Sequence, residues 1–107
     1  MIKHFKNLLW QLQHRGNMYL GENTYTALTH FLTGYLLALR DVSGIDVGSA
    51  FHSNVQQKYR KSFAINAEAY LLEYEAKGDE QEAERVLFEL WEEFLDMENP
   101  ALEMPGY

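Results

Sequence analysis

The stretch from residue 24 to residue 40 constrains the fold more than any other part of this sequence. It reads TYTALTHFLTGYLLALR and is the most apolar run in the chain. One helix face is marked by the helical spacing of four large side chains, Leu28, Leu32, Tyr35 and Leu39. A helix that is apolar on nearly all sides must be covered by other elements. We therefore predict a central helix over residues 24–40, with the remaining helices packed around it.

Gly34 lies in the middle of this predicted helix. Glycine costs about 0.5–1 kcal/mol relative to alanine in a helix interior, and a residue that costs this much commonly has a packing reason. We predict that Gly34 lets another helix approach closely. On this basis, Gly34→Leu would destabilise the fold by about 1–3 kcal/mol through overpacking.

Four further segments carry helical patterns. They are residues 2–13, a short helix over 49–59 capped by Ser49, a helix from 62 or 63 to 77, and a last helix that starts at Asp79 and stops at Asn99-Pro100. Asp79 and Glu82 form a capping-box pattern at the start of the last one. We predict an all-α fold, a compact single domain of about five helices over residues 1–107, in which residues 98–107 are an irregular tail.

Length and composition agree with one folded domain. The chain has 107 residues, of which 47% are hydrophobic and 14% aromatic, which argues against disorder. It has no cysteine, which removes disulfides, cysteine nucleophiles, thiolate zinc sites and iron–sulfur clusters. The N-terminal segment shows no signal-peptide pattern, and no apolar run is long enough to span a bilayer. We predict a cytoplasmic protein that does not enter the membrane.

The charge is divided unevenly along the chain. Net charge is −7, but residues 1–61 carry seven Lys and Arg against three acids, whereas residues 62–107 carry thirteen acids against two basic residues. This asymmetry suggests a basic partner for the C-terminal half, but taken alone it is explained better by a solvated acidic helix face. Nucleic acid is disfavoured as a partner, because phosphate contacts need a clustered basic surface.

No catalytic or cofactor motif is present. The four histidines fall in different predicted elements, and none pairs with another at the helical spacing of a metal site. There is no Glu-x-x-His motif, no glycine-rich phosphate loop and no calcium-loop spacing of acids. We predict that the protein is not an enzyme and binds no cofactor or metal.

Several landmarks occur together in a recognisable order. Met18-Tyr19-Leu20-Gly21 is followed by Phe31-Leu32-Thr33-Gly34-Tyr35-Leu36-Leu37-Ala38-Leu39, then by Phe51 and Lys58-Tyr59, and finally by Phe88-Glu89-Leu90-Trp91-Glu92-Glu93-Phe94. This order resembles the small helical immunity proteins of bacterial toxin systems, particularly those of contact-dependent growth inhibition. The resemblance covers roughly residues 17–94.

The resemblance implies a compact all-α domain that binds one cognate toxin domain in the cytoplasm and blocks it. Such toxins are often nucleases with a basic substrate cleft, which an acidic protein complements. We expect a monomer that forms a 1:1 complex with its toxin. The alternative is an acidic regulatory adaptor, or a phage-type inhibitor that mimics the charge of nucleic acid, for which the acidic face of the last helix would be the whole binding surface.

Candidate partner-binding residues follow from exposure and side-chain type. The linker after the central helix carries Asp41, Asp46 and His52 in a segment that no core pattern claims. The acidic half adds Glu68, Glu73, Glu75, Glu89, Glu92 and Glu93. Tyr70 and Tyr74 form a stripe on the fourth predicted helix that is either an interface, where tyrosine is enriched, or ordinary core.

Overall fold

The computed structural model describes residues 2–16, 20–21 and 24–97, and these residues form helices and connecting segments without a strand. The helices are α1 (Ile2–Arg15), α2 (Tyr25–Ser43), α3 (Val47–Tyr59), α4 (Ala67–Tyr70, continued by a π-helical turn over Leu71–Glu75) and α5 (Glu80–Asp96). The predicted all-α single domain of about five helices is confirmed. The predicted tail at 98–107 lies outside the described residues.

The most apolar helix, α2, has well-formed ends. The Thr24 side chain accepts a hydrogen bond from the Ala27 amide at its start, 3.1 Å away. At its end Gly44 adopts the left-handed conformation, with φ of 77°, and its amide donates to the Arg40 carbonyl over 2.7 Å. The helix therefore runs three residues beyond the predicted Arg40.

The expectation that α2 is covered on most sides is wrong, because one face is open to solvent. Its buried residues are Tyr25, Leu28, Leu32 and Leu36. Leu37 is 47% exposed, and Gly34 is exposed as well. A Cβ built on Gly34 would meet no atom within 4 Å, so the predicted close helix contact at Gly34 is also wrong. Apolar residue type alone does not predict burial in this helix, because its exposed positions include Leu37 and Val42 as well as threonine, glycine and alanine.

The helix that contacts most of the others is α5. It packs against α1, α2, α3 and the π-helical turn, whereas α2 packs chiefly against α3 and α5. Its Trp91 is fully buried, stacked on Phe51 with ring centroids 3.8 Å apart and edge-on to Phe5 at 5.0 Å. The core therefore centres on the aromatic cluster of Trp91, Phe51 and Phe5, to which α5 contributes the fully buried Trp91.

Two predicted helix starts are wrong. Helix α3 begins at Val47 and is capped by Asp46, while Ser49 lies inside the first turn. Helix α4 begins at Ala67 instead of residue 62 or 63, because Asn66 caps it by accepting from the Ala69 amide over 2.7 Å. Residues 61–66 therefore form an irregular segment, which leaves Ile65 38% exposed.

Candidate functional site

A groove lies between the C-terminal half of α2, the start of α3 and residues 64–68. Its cavity measures about 390 Å³, within the range of ligand and side-chain pockets in proteins. The polar residues that line it include Arg40, Asp46, His52 and Glu68. The apolar lining includes Leu37, Ile65 and the buried Trp91. We call this the Glu68 groove; it brings together three predicted contact residues from two separate segments of the chain.

Asp46 is fixed in the groove by its role as a helix cap. Its Oδ1 accepts from the Ser49 amide over 3.0 Å, and its Oδ2 accepts from the Ser49 hydroxyl over 2.8 Å. These two bonds, the backbone one first, lower the pKa of Asp46, and the nearby Arg40 guanidinium acts in the same direction. Asp46 therefore carries a stable negative charge on a rigid position.

Glu68 is a half-buried carboxylate at the other end of the groove. Burial raises the pKa of Glu68, an effect that its own backbone amide and the nearby His52 partly offset. The position of Glu68 is set by Asn66, which begins α4, and by the Tyr25 hydroxyl, which donates to the Glu68 carbonyl over 2.7 Å. Within residues 24–97 no ion pair to Glu68 is formed.

A second surface gathers tyrosines and glutamates from three helices. Tyr74 is 56% exposed and stacks on Tyr70, whose ring centroid is 5.6 Å away. Tyr70 itself is only 3% exposed, so it supports Tyr74 from beneath and offers little area to a partner. The Tyr59 ring lies 5.8 Å from that of Tyr70, and Glu75, Glu89 and Glu93 lie near enough to Tyr59 for their charges to raise its pKa. We call this the Tyr74 surface; it unites five of the predicted contact residues.

The π-helical turn builds this surface. It allows the Tyr70 hydroxyl to donate to Glu75 Oε1 over 2.6 Å, a pairing across five residues. Burial, and then this hydrogen bond, raise the pKa of Tyr70 to about 12. Burial raises the pKa of Tyr59 too, and the charges of Glu75, Glu89 and Glu93 add to the rise. The three carboxylates are therefore close enough to act on one phenol.

Part of the acidic charge is neutralised within the fold. Glu93 pairs with Lys58 over 2.7 Å, and Arg85 pairs with both Glu82 at 2.6 Å and Glu89 at 2.7 Å. All of these side chains are substantially exposed, so each pair stabilises the fold little. Their consequence is a surface of alternating charges in place of a continuous acidic stripe.

The remaining predicted residues lie outside these two surfaces. Asp41 is exposed near the end of α2, and Glu73 is exposed on the π-helical turn. Glu92 lines a separate cavity of about 370 Å³ between α1 and α5, together with Trp10. Trp10 is 47% exposed, and its ring stacks on His14 with centroids 4.3 Å apart.

Some residues that line the Glu68 groove, the Tyr74 surface or the cavity between α1 and α5 were not predicted from the sequence. Trp10 falls off the apolar face of α1, a signal that could have marked it as exposed. Phe63 and Ile65 were assigned to a helix that starts later; the preference of asparagine for the cap position at Asn66 is the signal that would have corrected this. Arg40 was recognised only as a helix end.

Three properties of the described residues bear on the class of protein. No group of three or more His, Asp or Glu side chains among them is arranged to hold a metal ion. None of the described helices combines the length and apolarity that crossing a bilayer requires. Neither family models nor curated proteins nor solved structures match this chain. The fold and surfaces define an all-α domain with a mixed aromatic and acidic face and an adjoining polar groove.

Proposed function

We propose that this protein is an immunity protein, which binds a cognate bacterial toxin domain in the cytoplasm and neutralises it. Two arguments support the proposal. The first is the resemblance carried by the FLTGYLLAL segment and the aromatic and acidic positions after it. The second is the composition of the Tyr74 surface, which has the character of a protein-binding site. Contact-dependent growth inhibition is the kind of system to which the resemblance points.

The observation that carries the proposal is the exposed Tyr74 ring, which stacks on the buried Tyr70, whose hydroxyl in turn donates to Glu75. Interface energy concentrates in a few rigid aromatic side chains, and tyrosine is one of the residue types enriched there. Tyr74 is anchored by its stack on Tyr70, so little side-chain entropy remains to be lost when a partner covers it. Because Glu89 and Glu93 are already paired with Arg85 and Lys58, the attraction for a basic partner comes from the net charge of −7.

A basic partner surface fits the proposed role. Many toxin domains act on nucleic acid and need a positively charged cleft to hold phosphates. An acidic protein with net charge −7 is attracted to such a cleft over distances longer than direct contact. Binding on or beside the cleft would exclude the substrate, and no chemical step on the immunity protein is required. The proposal specifies the basic surface of the toxin domain and does not depend on which reaction the toxin catalyses.

The alternative, a regulatory adaptor or inhibitor that mimics nucleic-acid charge, has less support. Such mimicry needs a regular row of unpaired negative charges along the last helix. On α5, however, Glu82 and Glu89 share Arg85, Glu93 pairs with Lys58, and Asp96 pairs with Lys6 over 2.7 Å. The row is interrupted by cations, whereas the Tyr74 surface offers an aromatic anchor that charge mimicry does not use.

The test is co-expression with the candidate toxin. The C-terminal domain of a large exported protein encoded next to this gene is induced in cells with and without this chain. Protection of growth, together with a 1:1 complex by size-exclusion chromatography, is the expected result. Continued toxicity in the presence of an equimolar amount of folded chain would overturn the proposal.

Variants then test the surface. Tyr74→Ala should weaken the complex by about 2 kcal/mol or more, as expected for an interface hot spot. Val42→Ala is the control, since Val42 is 79% exposed and lies in neither surface. Equal affinities for Tyr74→Ala and Val42→Ala would place the toxin on another part of the molecule.

A further inference from the structure

The geometry points to an arginine side chain of the partner as the occupant of the Glu68 groove, with its guanidinium paired to the Glu68 carboxylate. This inference deepens the proposed function and rests on it for the identity of the partner. Three features of the groove favour this occupant: its shape, the distribution of charge along it and the partial burial of Glu68.

The shape of the groove suits one long side chain with an apolar stem. Leu37 and Ile65, which are 47% and 38% exposed, both line the groove although nothing in the described chain covers them fully. Large apolar side chains that flank a concave polar site are typical of places where another molecule docks. The methylene groups of an arginine would cover these two residues while its charged end reaches inward.

The charge along the groove is balanced at one end and unbalanced at the other. Near α2 the Arg40 guanidinium lies 3.8 Å from Asp41 and lowers the pKa of Asp46, so positive and negative charges compensate there. At the other end, among the residues that the structure describes, His52 is the one titratable neighbour whose charge lowers the pKa of Glu68. The Tyr25 hydroxyl donates to the backbone carbonyl of Glu68, so this hydrogen bond does not occupy the carboxylate. A cation is therefore the complementary group for the Glu68 end.

Partial burial at Glu68 distinguishes arginine from lysine. A cation that pairs with a half-buried carboxylate must itself lose part of its hydration shell. The guanidinium group is more weakly hydrated than an ammonium group and can pair with a carboxylate through two parallel hydrogen bonds.

The protein contains its own reporter for this site. Trp91 lines the groove, and its Nε1 is buried without a hydrogen-bond partner among the described residues. The second tryptophan, Trp10, lies in the cavity between α1 and α5 and serves as an internal control. The two indole N–H signals of a ¹⁵N-labelled sample therefore report separately on the groove and on the cavity between α1 and α5.

The experiment titrates the full chain with N-acetyl-arginine amide at constant ionic strength. We expect the Trp91 indole signal and the Glu68 side-chain carboxyl signal to shift saturably, with a dissociation constant in the millimolar range and little change at Trp10. N-acetyl-citrulline amide, a neutral molecule of nearly the same shape, should bind at least tenfold more weakly. Glu68→Gln should reduce the arginine response at least tenfold, whereas Glu73→Gln, an exposed acid on the same helical segment, should leave it unchanged.

Several results would overturn the inference. They are an equal response to citrulline, an equal response to N-acetyl-lysine amide, or a response that survives in Glu68→Gln. Because the probe is a single amino-acid derivative, the test does not depend on the toxin. A saturable arginine response in a protein that fails to protect cells would refute the proposed function and leave the groove assignment standing, and the reverse result would refute the groove alone.

Discussion

Phe63 stacks face to face on Tyr70, with ring centroids 4.1 Å apart and planes only 4° from parallel. Phe63 also packs edge-on against His52, and its carbonyl accepts from the Gln56 side chain over 3.2 Å. Through these contacts the irregular segment 61–66 connects the Glu68 groove to the Tyr74 surface. The two candidate binding surfaces are therefore held in a fixed relation by one aromatic residue.

Removing the Phe63 ring should loosen this connection. Phe63→Ala is expected to lower the free energy of unfolding by about 1–3 kcal/mol, less than the loss for a fully buried phenylalanine because Phe63 is only half-buried. Phe63→Leu keeps much of the apolar volume and should lose about 0.5–1.5 kcal/mol, the value of the stack itself. Urea unfolding measures both. An unchanged midpoint for Phe63→Ala would mean that the stack is not formed in solution.

A substitution at Gly34 should raise the stability of the fold, whereas those at Phe63 should lower it. Since no atom lies within 4 Å of a Cβ at this position, Gly34→Ala should raise the free energy of unfolding by about 0.5–1 kcal/mol through helix propensity. Gly44→Ala is the matched control: Gly44 has φ of 77°, where an L side chain is strained, so it should lower stability by about 1 kcal/mol. Thermal melts of the two variants distinguish the positions. A lower melting midpoint for Gly34→Ala would instead support the close helix contact at Gly34 that the sequence predicted.

The Asp46 cap should make part of the stability depend on acid pH. The folded pKa of Asp46 lies below its ordinary value of 3.8, so the stabilisation is present above that pH and is lost as pH falls through the lowered value. Asp46→Asn keeps a capping side chain that does not ionise, so its contribution to stability should not change with pH in this range. The difference in unfolding free energy between the natural protein and Asp46→Asn should shrink as pH is lowered from about 4 toward 2. A difference that stays constant over this range would argue against a charged cap.

Glu68 should behave in the opposite way. Its pKa is raised in the folded state above the ordinary 4.5, so the ionised carboxylate costs stability, and this cost appears as pH rises through 4.5 and levels off above the raised value. Glu68→Gln removes the cost and should be more stable than the natural protein at pH 7, with no gain at pH 3. Chemical unfolding at both pH values tests this. A loss of stability at pH 7 would show that Glu68 already has a favourable partner in the fold.

Association with a basic toxin domain should depend on salt. Steering by the acidic half is screened within about 10 Å at 0.1 M salt, so the association rate should fall by about tenfold or more between low and high salt, while dissociation changes less. Replacing Glu89, Glu92 and Glu93 by lysine should slow association in the same way. All three are exposed, so the fold should survive, although Glu89 and Glu93 lose their pairs with Arg85 and Lys58. Stopped-flow kinetics measure both effects; rates indifferent to salt and to charge reversal would limit the role of the acids to solubility.

The sequence by itself determined the class of fold and, to within one residue, the starts of α1, α2 and α5. The apolar spacing in α1, α2 and α5 is strong because each buries one stripe of side chains, and this local periodicity does not depend on what covers it. The caps at Thr24 and Asp79 were also readable, since their bonds join residues only a few positions apart. Periodicity and capping involve residues that are close in sequence, so both can be predicted from the sequence alone.

Only the tertiary structure decided which side of α2 is covered, where α4 begins and which acids meet. Gly34 and Leu37 are exposed because no other helix crosses that face, a fact that no residue within α2 encodes. Glu68 and Asp46 share a groove although they lie far apart in the chain, and Glu75, Glu89 and Glu93 surround Tyr59 only because three helices converge there. Such contacts arise from how side-chain volumes pack around Trp91, and that packing depends on all the helices at once.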